Sequence, residues 1–117
     1  MTLEEAGKEL NIDLEKALDR VVNRTSLYIH LLKSFVDDSY MNQARQAVGC
    51  RDYDAVIETI HSMKGSAASL GIGSISAVCH NMVTALRQQE YEKTAELFAK
   101  VEEEYTAVKA VIVQLEE

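Results

Sequence analysis

Three observations predict an all-α fold: an antiparallel up-down four-helix bundle with a short extra helix at the N-terminus. The 117 residues contain no proline and only five glycines. That is too few for a domain built on many tight turns, which lean on those two residue types to reverse the chain. Apolar residues recur at three- and four-residue spacing through most of the sequence, the period of an amphipathic helix. The breaks between these stretches are short, so consecutive helices should be antiparallel neighbours.

The first twenty residues read as one short amphipathic helix, with Leu10, Leu14, Ala17, Leu18 and Val21 on one side and Gly7 in a loose N-terminal stretch. A polar break at Asn23-Arg24-Thr25 follows, where Thr25 or Ser26 can cap the next helix. That second helix is expected from Ser26 to Val48, carrying Tyr28, Leu31, Leu32, Phe35 and Ser39, and Gly49 is its expected C-terminal glycine. Asp52 is a fair N-cap for a third helix over Tyr53–Leu70, whose stripe is Val56, Ile60, Met63, Ala67 and Leu70. Gly71 should stop it. Gly73 or Ser74 begins the fourth, with Ile75, Val78, Met82 and Ala85 inward, fading at Gln88–Glu90. The last runs from Glu92 to Leu115 on Leu97, Val101, Tyr105, Val108, Ile112 and Leu115.

A chain of this length is expected to form one domain, residues 1–117, burying roughly two-thirds of its unfolded surface without metal or disulfide staples. Its Met1 start is expected to mark a stand-alone protein. No apolar run approaches a membrane span, and the N-terminus lacks the basic start and apolar stretch of a signal peptide, so the expected compartment is the cytoplasm. Cys50 and Cys79 should then be free thiols, and their spacing from the three histidines does not suit a metal site.

The net charge of −7 disfavours nucleic acid and anionic membranes, both of which need a basic footprint. The distribution of charge says more. From Thr59 to Gln89 there is no Asp or Glu, where a uniform chain would hold about five. Only Lys64 and Arg87 carry formal charge there, so the window is +2 and the rest of the chain −9. A well-buried hairpin would need few charges; a surface for a negatively charged partner would look the same.

Gly65 lies in the middle of the third helix, where glycine costs about 1 kcal/mol relative to alanine. His61, four residues earlier, Lys64 and Gly65 share a face, and Ala68 lies one turn on. His61 follows the core residue Ile60, which turns its ring about 100° from the apolar stripe, to the edge of the bundle. The result is an imidazole beside a lysine over a patch of backbone with no side chain. A neutral imidazole offers a free ring-nitrogen lone pair, the nucleophile that such a site would need. The lysine could offset charge on a phosphoryl group. Against this stands the plainer reading of an exposed helix histidine without a role.

The run His61-Ser62-Met63-Lys64-Gly65-Ser66-Ala67-Ala68-Ser69-Leu70-Gly71 resembles the signature H-x-[apolar]-K-G-[small]-[small]-x-x-[Leu/Ile]-G of the histidine-containing phosphotransfer (HPt) domains of multistep two-component phosphorelays. Every position matches. The segments Asn11–Arg20 and Tyr28–Phe35 resemble the family's N-terminal segment and second helix. The resemblance implies that His61 accepts and donates the phosphoryl group, that Lys64 neutralises its charge, and that Gly65 gives access to the ring. Arg87 matches a basic position that some members use near the site. A docking surface taking in Ser62, Ala68, Ser69, Arg87 and His80 is implied as well. The implied partners are response-regulator receiver domains and a hybrid sensor histidine kinase. The receivers bring the acidic pocket and the Mg²⁺, and this chain, expected to be a monomer, needs no cofactor of its own. The carboxylate-free window would then face that acidic pocket.

Two positions depart from the pattern. Asn11 stands where members often have glycine, a mild change because Asn tolerates left-handed backbone. Val83 stands where many have a Gln or Glu that hydrogen-bonds the imidazole; His80 or Asn81, on the same helix, could take that part. A histidine kinase would need a nucleotide-binding domain that this chain cannot include. The rivals that remain are a receiver-binding adaptor that is not itself phosphorylated, and an unrelated structural bundle in which His61, Lys64 and Gly65 form no exposed cluster.

Overall fold

The computed structural model describes residues 1–116 and is all-helical. Among these residues the α-helices are α1 (Leu3–Glu9), α2 (Leu14–Asp19), α3 (Thr25–Phe35), α4 (Ser39–Gly49), α5 (Tyr53–Leu70), α6 (Gly73–Arg87) and α7 (Thr94–Ile112), with a 3₁₀ turn at Tyr91–Lys93. α5 is central: it packs against α3, α4 and α6, while α6 packs against α7 and α1 touches α7. All five residues of the α5 stripe are buried, and Val56, Ile60, Met63 and Ala67 have no solvent exposure. Ile75, Met82 and Ala85 of α6 and Val101, Tyr105, Val108 and Ile112 of α7 join the core as expected, together with Phe98 and Val83. Val78 and Leu97 are only partly buried.

The structure corrects the expected elements at two places. The first twenty residues form two helices, not one. α1 is closed by a capping box between Thr2 and Glu5. Asn11 then takes a left-handed conformation (φ 54°), and Asp13 opens α2 by accepting the Lys16 N–H at 3.2 Å. Gly7 is not loose: it is buried in α1, and a Cβ there would lie 2.9 Å from Cγ and Cδ1 of Leu14. The glycine is what lets Leu14 pack on the α1 backbone.

The expected single helix from Ser26 to Val48 is likewise two, α3 and α4. α3 ends at Phe35, and Val36, Asp37 and Asp38 form the break before α4 begins at Ser39. The Asp37 carboxylate accepts the Ser39 N–H at 2.9 Å, the local side-chain-to-backbone bond by which Asp competes with helix. Asp38 adopts φ 73° and is held there by α7: Tyr105 Oη donates to its carboxylate at 2.7 Å and Lys109 Nζ at 2.8 Å.

Smaller boundaries also differ. Neither Thr25 nor Ser26 caps α3; Arg24 occupies that position without a side-chain bond. Gly49 is the last residue of α4, but the left-handed residue beyond the helix is Arg51 (φ 55°). The last helix starts at Thr94, after the 3₁₀ turn, and Leu115 is buried beyond its end. Cys50 is exposed and Cys79 buried, both as free thiols. No helix among the described residues is long and apolar enough to cross a membrane.

Candidate functional site

α5 carries the cluster read from the sequence, and both of its ends are fixed. At the start, the Asp52 carboxylate accepts the Ala55 N–H at 3.2 Å, as expected of an N-cap. The end is secured more heavily. The last four carbonyls of a helix lack partners within it, and here each finds one. Ala67 O accepts the Ile72 N–H (2.8 Å), and Ala68 O accepts the Gly71 N–H (3.1 Å). Arg20 Nη1 donates to both Ala68 O (2.7 Å) and Ser69 O (2.9 Å). Tyr28 Oη donates to Leu70 O at 2.6 Å from the core, where burial pushes its phenol up to about 12. Gly71 stops the helix in a left-handed conformation (φ 83°), as the sequence suggested.

Along this fixed helix His61 is exposed while its neighbours Ile60 and Met63 are completely buried. Its ring makes no hydrogen bond among the described residues, and neither His80 nor Asn81 reaches it. Val83, the position noted above as departing from the signature's pattern, is turned into the core. Lys64 is half-buried. Its charge is close enough to Cys79 to oppose the effect of burial, which pushes that thiol up to about 12. Gly65 is exposed, and a Cβ built on it would meet nothing within 4 Å. Nothing inside the protein requires this residue to be glycine.

Ser62 and Gly65 border an open groove of about 640 Å³ between α5, α3 and the start of α4. Its apolar floor is Leu31, Phe35 and Leu70; Ser34, Tyr40, Ser66 and Ser69 add hydroxyls around it. Tyr40 Oη and Ser66 Oγ are hydrogen-bonded at 2.7 Å. The structure therefore carries His61, Ser62, Lys64, Gly65, Ala68 and Ser69 on one helix, and of these Ser62, Gly65 and Ser69 border the groove. His80 instead borders a separate hollow of about 270 Å³, with Asn81, Thr84, Gln88, Lys93 and Leu97. Arg87 is exposed at the last position of α6.

Sequence reasoning passed over three contributors: Arg20, Tyr28 and the groove residues of α3. From the sequence, Tyr28 reads only as a core position. Arg20 gave no signal, because its partners are main-chain carbonyls forty-eight and forty-nine residues away.

Among the described residues no three His, Cys, Asp or Glu side chains gather as a metal site. Compared with family models, the chain matches the one described as the Hpt domain, over residues 30–111. Comparison with curated proteins and with solved structures gives no match.

Proposed function

This chain belongs to the Hpt domain family, and we propose that it is a phosphorelay intermediate whose phosphoacceptor is His61. Hpt domains carry phosphoryl groups in two-component phosphorelays, act as phosphocarriers rather than enzymes, and interact there with response-regulator receiver domains. The observation that carries the assignment of the residue is the exposed imidazole of His61 one turn from Gly65, where an added Cβ would meet nothing within 4 Å. A glycine in mid-helix that the fold does not use leaves room for another protein to approach the ring.

In the proposed reaction the lone pair of one ring nitrogen attacks the phosphorus of a receiver's aspartyl phosphate. An N–P bond forms, the P–O bond to the aspartate breaks, and the carboxylate departs with the bonding pair. The other ring nitrogen keeps its proton. Attack by a second receiver's aspartate on the phosphohistidine is the chemical reverse: a P–O bond forms, the N–P bond breaks, and the ring nitrogen departs with the bonding pair. Lys64, beside the ring, offsets charge on the transferring oxygens, and Gly65 admits the receiver's backbone. The groove floored by Leu31, Phe35 and Leu70 offers apolar surface next to the reacting atom, and the carboxylate-free stretch from Thr59 to Gln89 suits an acidic partner. That stretch offers none of the carboxylates that hold Mg²⁺, so the ion is assigned to the receiver.

The scaffold is read as an up-down bundle in which α3 with α4, α5, α6 and α7 form the four layers, a single domain over residues 1–117. The protein is taken to be a cytoplasmic monomer fed by a hybrid sensor histidine kinase, with Ser62, Ala68, Ser69 and Arg87 on the docking surface. Arg87, at the end of α6, and His80, beside a different hollow, both require that the partner also covers α6.

The test is incubation with a phosphorylated receiver. Label is expected on the wild type, stable in alkali and lost in acid, and absent from His61→Gln. Label that survives this substitution would overturn the assignment. A wild type that binds receivers but takes no label would instead mark the chain as the adaptor. The free ring of His61 and the inward Val83 are the observations on that side.

A further inference from the structure

The N-terminal arm, residues 1–29, lies outside the family match, yet one of its side chains reaches the reactive helix. Arg20 Nη1 donates to Ala68 O and Ser69 O at 2.7 and 2.9 Å. These carbonyls are neutral, so they hold the guanidinium in place without cancelling its charge. The N–H groups on Nε and Nη2 make no hydrogen bond among the described residues, and Asp19, next to it in sequence, forms no ion pair with it. The side chain is exposed. Capping alone does not account for it, because Ala68 O already accepts the Gly71 N–H and a neutral donor would serve Ser69.

Its position is informative. Ala68 and Ser69 follow His61 by two turns of α5, about 10–12 Å along the axis. Ser69 borders the groove beside Gly65. The guanidinium thus extends the charge pattern of the Thr59–Gln89 window, with Lys64 near the histidine and Arg20 beyond the far end of the same face. Being tied at one nitrogen, it loses less freedom on binding a carboxylate than an unrestrained side chain would.

We propose that Arg20 is a specificity-determining anchor of the docking surface: Nη1 stays on the end of α5, and the Nε–Nη2 side receives a carboxylate of the incoming receiver domain. This rests on the phosphorelay reading. It adds that selection among receivers depends on an acidic group about two helical turns from the reacting histidine.

The experiment compares the wild type with Arg20→Gln and Arg20→Lys, as full chains, against a panel of isolated receiver domains at low and high ionic strength. Gln keeps an N–H donor for the carbonyls and removes the charge. For Arg20→Gln, the receiver concentration giving half-maximal transfer should rise about fivefold, with the maximal rate retained. Its dependence on salt should flatten, and Arg20→Lys should restore part of that dependence. Phosphorylation of His61 by phosphoramidate, which needs no docking, should be the same in all three. If Arg20→Gln lowers only the melting temperature, leaving half-saturation and salt dependence as in the wild type, Arg20 is a helix cap and the proposal fails. A fall in maximal rate at unchanged half-saturation overturns it too. If the wild type neither binds nor exchanges with any receiver, it is the phosphorelay reading that fails, and the anchor falls with it.

Discussion

Gly7 in α1 and Gly65 in α5 both sit inside helices, and the space around them is opposite. A Cβ on Gly7 would lie 2.9 Å from two atoms of Leu14; one on Gly65 would meet nothing within 4 Å. Helix propensity disfavours each by about 1 kcal/mol. At Gly7 the close packing of Leu14 against the α1 backbone compensates within the fold. At Gly65 nothing inside the protein does. The difference separates a glycine that the fold needs from one that only something outside the fold can need, and the second kind lies one turn from His61.

The sharpest way to break the comparison is to fill the empty side. Gly65→Gln should leave the circular-dichroism spectrum as in the wild type and the melting temperature no lower, since the added side chain enters solvent and glutamine is the better helix former. Transfer from a phosphorylated receiver should fall about a hundredfold or more, because displacing the reacting groups by an ångström is enough for a loss of that size. Unimpaired transfer would show that the bare face is not where the partner approaches.

A milder pair of substitutions sharpens the contrast within the protein itself. Gly7→Ala should destabilise the fold by about 1–3 kcal/mol, as overpacked sites do. Gly65→Ala should stabilise it by about 1 kcal/mol, the helix propensity regained without a clash. Urea denaturation of both variants reads the two signs directly. Equal signs would mean that the space around one of these glycines is not as described. Slower transfer in the more stable Gly65→Ala would separate the demands of docking from those of folding.

The two glycines also show what was legible in the sequence. Gly65 stood out because a 3.6-residue period ran through it unbroken and its neighbours were His61 and Lys64; both signals are local. Gly7 was misread because its reason is Leu14, which meets it only after Asn11 turns the chain back. The same limit hid the break between α3 and α4. The apolar spacing continues across it, and the groups that stabilise Asp38 in a left-handed turn, Tyr105 and Lys109, arrive from α7. Helices, the α5 stripe, the Asp52 cap and the Gly71 stop depend on near neighbours and could be read. Arg20, whose partners are carbonyls in a distant helix, could not.

The arm holds the reverse of the mismatch at Gly65: a side chain where the backbone favours none. Val22 has φ 53° and is 81% exposed. A β-branched residue in the left-handed region is an outlier, and the conformation costs an L-residue roughly 1–2 kcal/mol. Its exposure means that removing the side chain forfeits little burial. Glycine adopts this backbone freely but gains unfolded-state entropy, an opposing effect of about 0.5–1 kcal/mol. Val22→Gly should therefore stabilise the protein by a net 0.5–1 kcal/mol or so, seen as a higher urea midpoint at unchanged slope. A lower midpoint would mean that Val22 supports the arm through contacts that outweigh its strain. The arm's turn would then be held by its side chains, as the α1–α2 corner is, and not merely tolerated by the backbone.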